Sequence, residues 1–319
     1  MKDIHIHIFE PDELKTGSHL DTLRKMLFER GVFYVREDEM LKNEHGKAMA
    51  AVMDLFENGS PEQRNALKNL TPNMRRGFSD LEAESTARIT NGGEYTDYSM
   101  CYSVGLSDNL FPSQEFAEVW TAYFDRFYSI TRDIARSVLL ASDAELDEDM
   151  GAFLLCDPLL RFRYFPEVPE ARCAEQQPQR MAPHYDLSII TTIQQTPCAN
   201  GFVSLQCEIE GRYVDLPPMP GSVVVFCGAV ASLVSGGKIK APRHRVASPS
   251  IDQRIGSART SSVFFLRPKP EFRFSVPLAR SCGLDVNFAA DTATFGEWIG
   301  SNYVNLRASG RNTRTAAPV

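Results

Sequence analysis

The chain has 319 residues, 43% hydrophobic and 24% charged, which is enough to bury a large core as one big domain or one core with appendages. The net charge of −7, with no long basic run, argues against a nucleic-acid surface, and no run approaches the roughly 18 uninterrupted apolar residues of a membrane span. The start at Met1 lacks a signal-peptide core and the seven cysteines form no C-x-x-C pair, so a cytoplasmic protein with reduced thiols is expected.

Residues 1–9 read as a short strand, followed by an acidic helix start at Pro11 and a helix near 17–30. Residues 31–35 are a compact β-branched and aromatic run, hence a strand, and 43–57 has helical spacing. Ser60 is placed to cap the next helix, with Pro61 at its first position. From Thr71 to Gly105 the pattern dissolves into a Gly-, Ser- and Tyr-rich stretch, expected to be irregular and functional. Residues 114–141 form the longest helical pattern, with Phe116, Trp120, Tyr123, Phe124, Phe127, Ile134 and Val138 on one apolar stripe. From Leu159 onward, short strands are predicted at 159–165, 187–195, 202–208, 212–216, 222–227, 243–248 and 260–267. Their regular spacing between Pro/Gly turns is the signature of a sandwich or barrel. Residues 295–305 look like a terminal helix, and the last dozen residues are expected to be mobile. The whole reads as one mainly β domain with flanking helices: a mostly helical part at 1–158, most of the β core at 159–270, and a C-terminal segment and tail at 271–319.

His184 and Asp186 are two apart, so on an extended strand both side chains face one way and can grip one ion. A third ligand follows at His244, in a second predicted strand. Two imidazoles and one carboxylate hold non-haem Fe(II) on one face and leave the other open, although imidazole suits zinc as well. Fifteen residues past His244, Arg259 and Ser261 again share a face, offering a guanidinium fork and a hydroxyl to one cosubstrate carboxylate. Arg259 favours iron over zinc. His5 and His7 also have ligand spacing, but no carboxylate or distal partner accompanies them.

With these residues in that order, the chain resembles the Fe(II)- and 2-oxoglutarate-dependent oxygenases built on a double-stranded β-helix, or jelly roll. The blocks at 74–78, 98–102, 160–166, 195–202 and 260–268 further resemble the deacetoxycephalosporin C synthase and hydroxylase family, over about residues 30–307. Arg245 stands where some members carry a second histidine, and the extreme N-terminus and the tail after Asn305 match poorly.

The resemblance implies Fe(II) on His184, Asp186 and His244, with 2-oxoglutarate and O2 as cosubstrates. Arg259, Ser261 and Met181 are assigned to the 2-oxoglutarate. The implied substrate is a β-lactam with two carboxylates, penicillin N, whose five-membered ring is oxidatively expanded to deacetoxycephalosporin C with succinate and CO2 as co-products. Hydroxylation of the 3-methyl group of that product, alone or bifunctionally, is the alternative, and a non-catalytic binding jelly roll is a remoter one. A di-anionic substrate in an acidic protein needs local cations. Arg161 and Arg163 are expected at the ring carboxylate, and Arg75, Arg76 and Arg267 are the other candidates. Phe165, Ile193, Leu205, Phe226, Val263 and Met181 are assigned to the apolar lining, and Tyr303 and Asn305 to contacts from the C-terminal segment. The tail is a candidate route to self-association.

Overall fold

The computed structural model describes residues 6–68, 76–90, 93, 95–142, 155–174 and 179–306. Fourteen strands are formed by the described residues: β1 Ile8–Phe9, β2 Val32–Arg36, β3 Gly77–Ser79, β4 Met100–Gly105, β5 Asp157–Phe165, β6 Gln179–His184, β7 Ile190–Gln195, β8 Leu205–Ile209, β9 Arg212–Asp215, β10 Ser222–Cys227, β11 His244–Ala247, β12 Arg259–Arg267, β13 Arg273–Ser275 and β14 Thr292–Thr294. A major sheet of eight strands runs β1-β2-β10-β7-β12-β5-β4-β3, a minor sheet of four runs β6-β11-β8-β9, and β13 pairs with β14. Every pairing in the major sheet is antiparallel except β1 with β2.

The period-two alternation of β12 explains the layering. Phe264 meets Phe124 and Phe127 of the helix Gln114–Ala141 at ring-centroid distances of 5.3 and 5.2 Å, so this face of the sheet is covered by helix. Arg259, Ser261, Val263, Phe265 and Arg267 face the opposite way, into a cavity shared with Met181, Leu205 and Val246 of the minor sheet. A second apolar cluster joins Val32, Ile193, Val224 and Phe226 of the major sheet to Leu205, Cys207 and Ile209 of the minor sheet. The order is therefore helix, major sheet, minor sheet, with the cavity between the sheets, consistent with the jelly-roll core. Burial of this aromatic-rich helix stripe is a main source of stability, at about 2 kcal/mol for each large side chain removed from water. Two buried contacts pin it in register: Tyr123 donates to Gln194, and the hydroxyls of Thr131 and Thr192 pair at 2.6 Å.

Ser60 caps its helix in a reciprocal box with Gln63, as its position next to Pro61 predicts. Several expectations are corrected. The acidic start at Pro11 is a short helix of its own, Pro11–Thr16, ended by Gly17 in a left-handed conformation, and the helix expected near 17–30 runs only from Leu20 to Glu29. The N-terminal strand is two residues long among those described, and His5 lies outside them. The stretch 71–105, expected to be irregular, contains β3 and β4, which form one edge of the major sheet. Four consecutive residues of β4 from Cys101 to Val104 are buried, so it lacks the polar alternation that marks a half-exposed strand. The strand predicted at 187–195 begins only at Ile190, and residues 179–184 form a strand of their own.

Candidate active site

His184 closes β6 and His244 opens β11, and the two are directly opposed in the antiparallel pairing of the minor sheet. Their rings lie 4.4 Å apart between centroids. Asp186 is two residues past the end of β6, in the connection to β7, so the shared-strand argument for its direction is corrected. Its position comes from backbone contacts with the turn after β10. Ala229 N–H donates to the Asp186 carbonyl at 2.7 Å, Gly228 N–H to that of Ile189 at 2.8 Å, and Val230 N–H to that of Ser188 at 3.1 Å. Gly228 is required there, because a Cβ would sit 2.1 Å from the Ser188 carbonyl oxygen.

The imidazole Nδ1 atoms face backbone carbonyls, of Ala182 at 2.8 Å for His184 and of Pro242 at 3.4 Å for His244. Each Nε2 therefore points at the carboxylate of Asp186, from 3.8 and 3.7 Å. One ligand atom from each of the three residues can be chosen within 4.8 Å of the others. Asp186 Oδ2 is buried without a hydrogen-bond partner, a state that a cation relieves. Burial, aided by the charge of His184 and opposed by Asp186, pushes the His244 imidazole down to about 4, so it is neutral at pH 7 as a ligand must be. Phe226 stacks on His244 at 4.3 Å and 24°. The residues fit a single metal ion held from one side.

Arg259 and Ser261 project into the same cavity. Arg259 is 5% exposed; its guanidinium reaches the Ser204 hydroxyl at 3.1 Å and the Thr260 carbonyl at 3.4 Å, and lies over the Phe165 ring. No carboxylate among the described residues pairs with it, so it is available to an anionic ligand.

Arg161 and Arg163 face the cavity from β5, held by a residue that no local pattern points to. Glu84 accepts from Arg161 at 2.6 Å and from Arg163 at 2.8 Å. Ser103 and Ser99 take a further donor from each guanidinium. One carboxylate thus holds two guanidiniums on this wall. Arg267 also faces the cavity, paired with Asp157 at 2.7 Å and donating to the Tyr303 hydroxyl of the terminal helix Phe295–Leu306. Phe165, Met181, Ile193, Leu205, Val263 and Tyr303 line the cavity as expected. Phe226 does not; it is fully buried behind His244. Arg76 is off the wall too, donating to the Ser107 carbonyl beside Gly105. Arg75 and the side chain of Asn305 fall outside the described residues. Asn302, Trp298 and Ile299 of the terminal helix line the cavity without having been foreseen. For Ile299, four residues before Tyr303 on the same helix, that spacing was the available signal.

A sequence model described as the 2OG-Fe(II) oxygenase superfamily matches residues 156–268. The chain is 56% identical over 308 residues to a deacetoxycephalosporin C synthase of Amycolatopsis lactamdurans, covering 96% of this chain and 98% of that one. It is 53% identical over 311 residues to a deacetoxycephalosporin C hydroxylase of Streptomyces clavuligerus, covering 97% and 98%. Among solved structures, full-length Neurospora crassa T7H in complex with alpha-KG superposes with a TM-score of 0.73 at 19% identity, over 95% of this chain and 98% of that one. That likeness concerns the fold.

Proposed function

The chain belongs to the 2OG-Fe(II) oxygenase superfamily, and from that premise we propose that it oxidatively expands the five-membered ring of penicillin N to give deacetoxycephalosporin C. It is an iron enzyme that consumes 2-oxoglutarate and O2. The observation that carries the substrate reading is the placement of Arg161 and Arg163 on the wall that also bears Arg259 and Ser261, all facing the cavity with the His-Asp-His site.

His184, Asp186 and His244 would hold the Fe(II), whose chemistry is activation of O2 coupled to loss of CO2 from the keto acid. The protein's own residues bind, orient and keep water out. Arg259 and Ser261 take the distal carboxylate of 2-oxoglutarate, beside Met181. Arg161 and Arg163, steadied by Glu84, take the ring carboxylate of the β-lactam. Arg267 and Tyr303 face the substrate side chain, and Arg75 and Asn305 are proposed for the same end. Phe165, Ile193, Leu205 and Val263 form a dry wall that orients the C–H bond to be broken. Ring expansion balances as penicillin N, 2-oxoglutarate and O2 giving deacetoxycephalosporin C, succinate, CO2 and water.

A second reading, hydroxylation of the 3-methyl group of deacetoxycephalosporin C, is favoured by the 53% identity to a hydroxylase. Incubation of the iron-loaded protein with each substrate separately, with products identified by mass, decides between them. Ring expansion removes two hydrogens from penicillin N, whereas hydroxylation adds one oxygen to deacetoxycephalosporin C. If neither compound accelerates succinate formation, both readings fail.

No helix among the described residues is long and apolar enough to cross a membrane, and a cytoplasmic location is part of the proposal. So is self-association through the tail, whose residues from 307 lie outside those described; sedimentation of the full chain against one ending at 306 tests it.

A further inference from the structure

Five arginines are buried among the described residues: Arg161, Arg163, Arg180, Arg259 and Arg267. Three are matched by carboxylates, Glu84 for the first two and Asp157 for the last. Arg180 and Arg259 have no such partner among the described residues. Arg180 is completely buried on β6. Its guanidinium donates to the Ser257 carbonyl at 2.9 Å and to the Ser257 hydroxyl at 2.7 Å, and its Nε finds no acceptor. Arg259 stands two residues beyond Ser257, is held only by neutral oxygens, and also leaves its Nε unmet. The Cys198 thiol is packed at the same point, with Sγ 3.3 Å from the Ser257 carbonyl. Burial pushes that thiol up, so it is neutral near pH 7 and is no counter-ion.

A buried guanidinium served only by neutral acceptors is costly, and a second one beside it compounds the cost. Burial pulls both guanidiniums down to about 10, and the charge of Arg180 contributes to lowering that of Arg259. Met181 faces the cavity and the neighbouring Arg180 does not, so Arg180 cannot touch a ligand there. It can act on one through its field.

We propose that Arg180 is a positioning residue of the cosubstrate pocket: a hidden cation behind Arg259 that selects keto acids carrying a distal carboxylate. This rests on the assignment of Arg259 to the 2-oxoglutarate. One anion docking on Arg259 offsets the field of two buried charges, which an uncharged chain end cannot do.

The test is the binding of 2-oxoglutarate and of 2-oxopentanoate, which lacks the distal carboxylate, to the anaerobic Fe(II)-loaded protein by titration calorimetry. Native protein, Arg180→Met, Arg180→Lys and Arg259→Gln are compared. Arg180→Met should raise the Kd of 2-oxoglutarate about tenfold and that of 2-oxopentanoate less than about twofold. Arg180→Lys keeps the charge but loses the two-pronged grip on Ser257, and should bind 2-oxoglutarate within about threefold of native. An unchanged 2-oxoglutarate Kd in Arg180→Met, or equal losses for the two acids, overturns the proposal. If Arg180→Met does not fold, a tenfold loss in a folded Arg180→Lys overturns it by the same measurement, since the Ser257 clamp and not the charge is then what matters. Arg259→Gln separates the layers: if it too leaves 2-oxoglutarate binding intact, the assignment of Arg259 has failed, not just the role of Arg180.

Discussion

Arg161 Nη2 lies 2.6 Å from Glu84 Oε1, in an ion pair almost wholly removed from water. Glu84 gives its other oxygen to Arg163, so neither arginine is free to swing toward a ligand, and both present fixed donors to the cavity. This is preorganisation for a planar anion.

Replacing Arg161 by Ala is expected to raise the KM for the β-lactam by about 10- to 100-fold. It should also lower stability by about 2 kcal/mol, less than for a fully orphaned buried ion because Arg163 still serves Glu84. Decarboxylation of 2-oxoglutarate without β-lactam should persist. Succinate release with and without substrate checks this, and equal loss of both rates would make Arg161 a purely structural residue.

His244→Ala removes a neutral imidazole opposed across the sheet to His184. Loss of outer contacts alone weakens metal sites by 10- to 100-fold, so removal of a ligand should weaken Fe(II) by more than about 100-fold. Iron content after anaerobic gel filtration is the measurement. Stoichiometric iron in the variant would remove His244 from the ligand set.

Arg259→Gln exchanges a charged fork for an amide at the cosubstrate end of the cavity. The KM for 2-oxoglutarate should rise about 100-fold while Fe(II) affinity stays within about twofold. An unchanged KM would mean that another residue holds the distal carboxylate.

Far from the cavity, His45 is buried in the helix Glu39–Asn58, its ring 5.6 Å from that of Tyr123 and its Nε2 without a hydrogen bond. Burial pushes it down to about 4 from an ordinary 6.5. The unfolded chain thus takes up this proton at a higher pH than the folded one. Its contribution to stability is complete above about pH 6.5 and is lost as the pH falls toward 4, by up to about 3 kcal/mol. His45→Phe should flatten this part of the profile in urea titrations between pH 4 and 7. The same slope in the variant would assign the acid sensitivity elsewhere.

Local patterns carried most strands of the β core, the long helix, the Ser60 cap and the residue types that meet at His184, Asp186 and His244, because these follow from period-two or helical alternation or from side-chain chemistry. The same patterns gave no view of Glu84, whose partners lie 77 and 79 residues away. Nor did they show that Asp186 is aimed by the turn at Gly228 and Ala229, a backbone contact with no side-chain signature. Phe226 was assigned to the cavity lining on its apolar character, but only three-dimensional packing distinguishes a cavity wall from the back of His244.

The flanking part of the chain is also structural in a way its helices conceal. β2 pairs along its full length with β10, Arg36 opposite Ser222, and β4 pairs with β5. The matched segment 156–268 is thus the middle of a sheet whose two margins are made earlier in the chain. A ribosome must deliver nearly 230 residues before β2 meets β10, so folding of this sheet is largely a post-translational event. A fragment cut to the matched segment would expose the open hydrogen-bonding edges of β10 and β5, and is expected to aggregate before it ever binds iron.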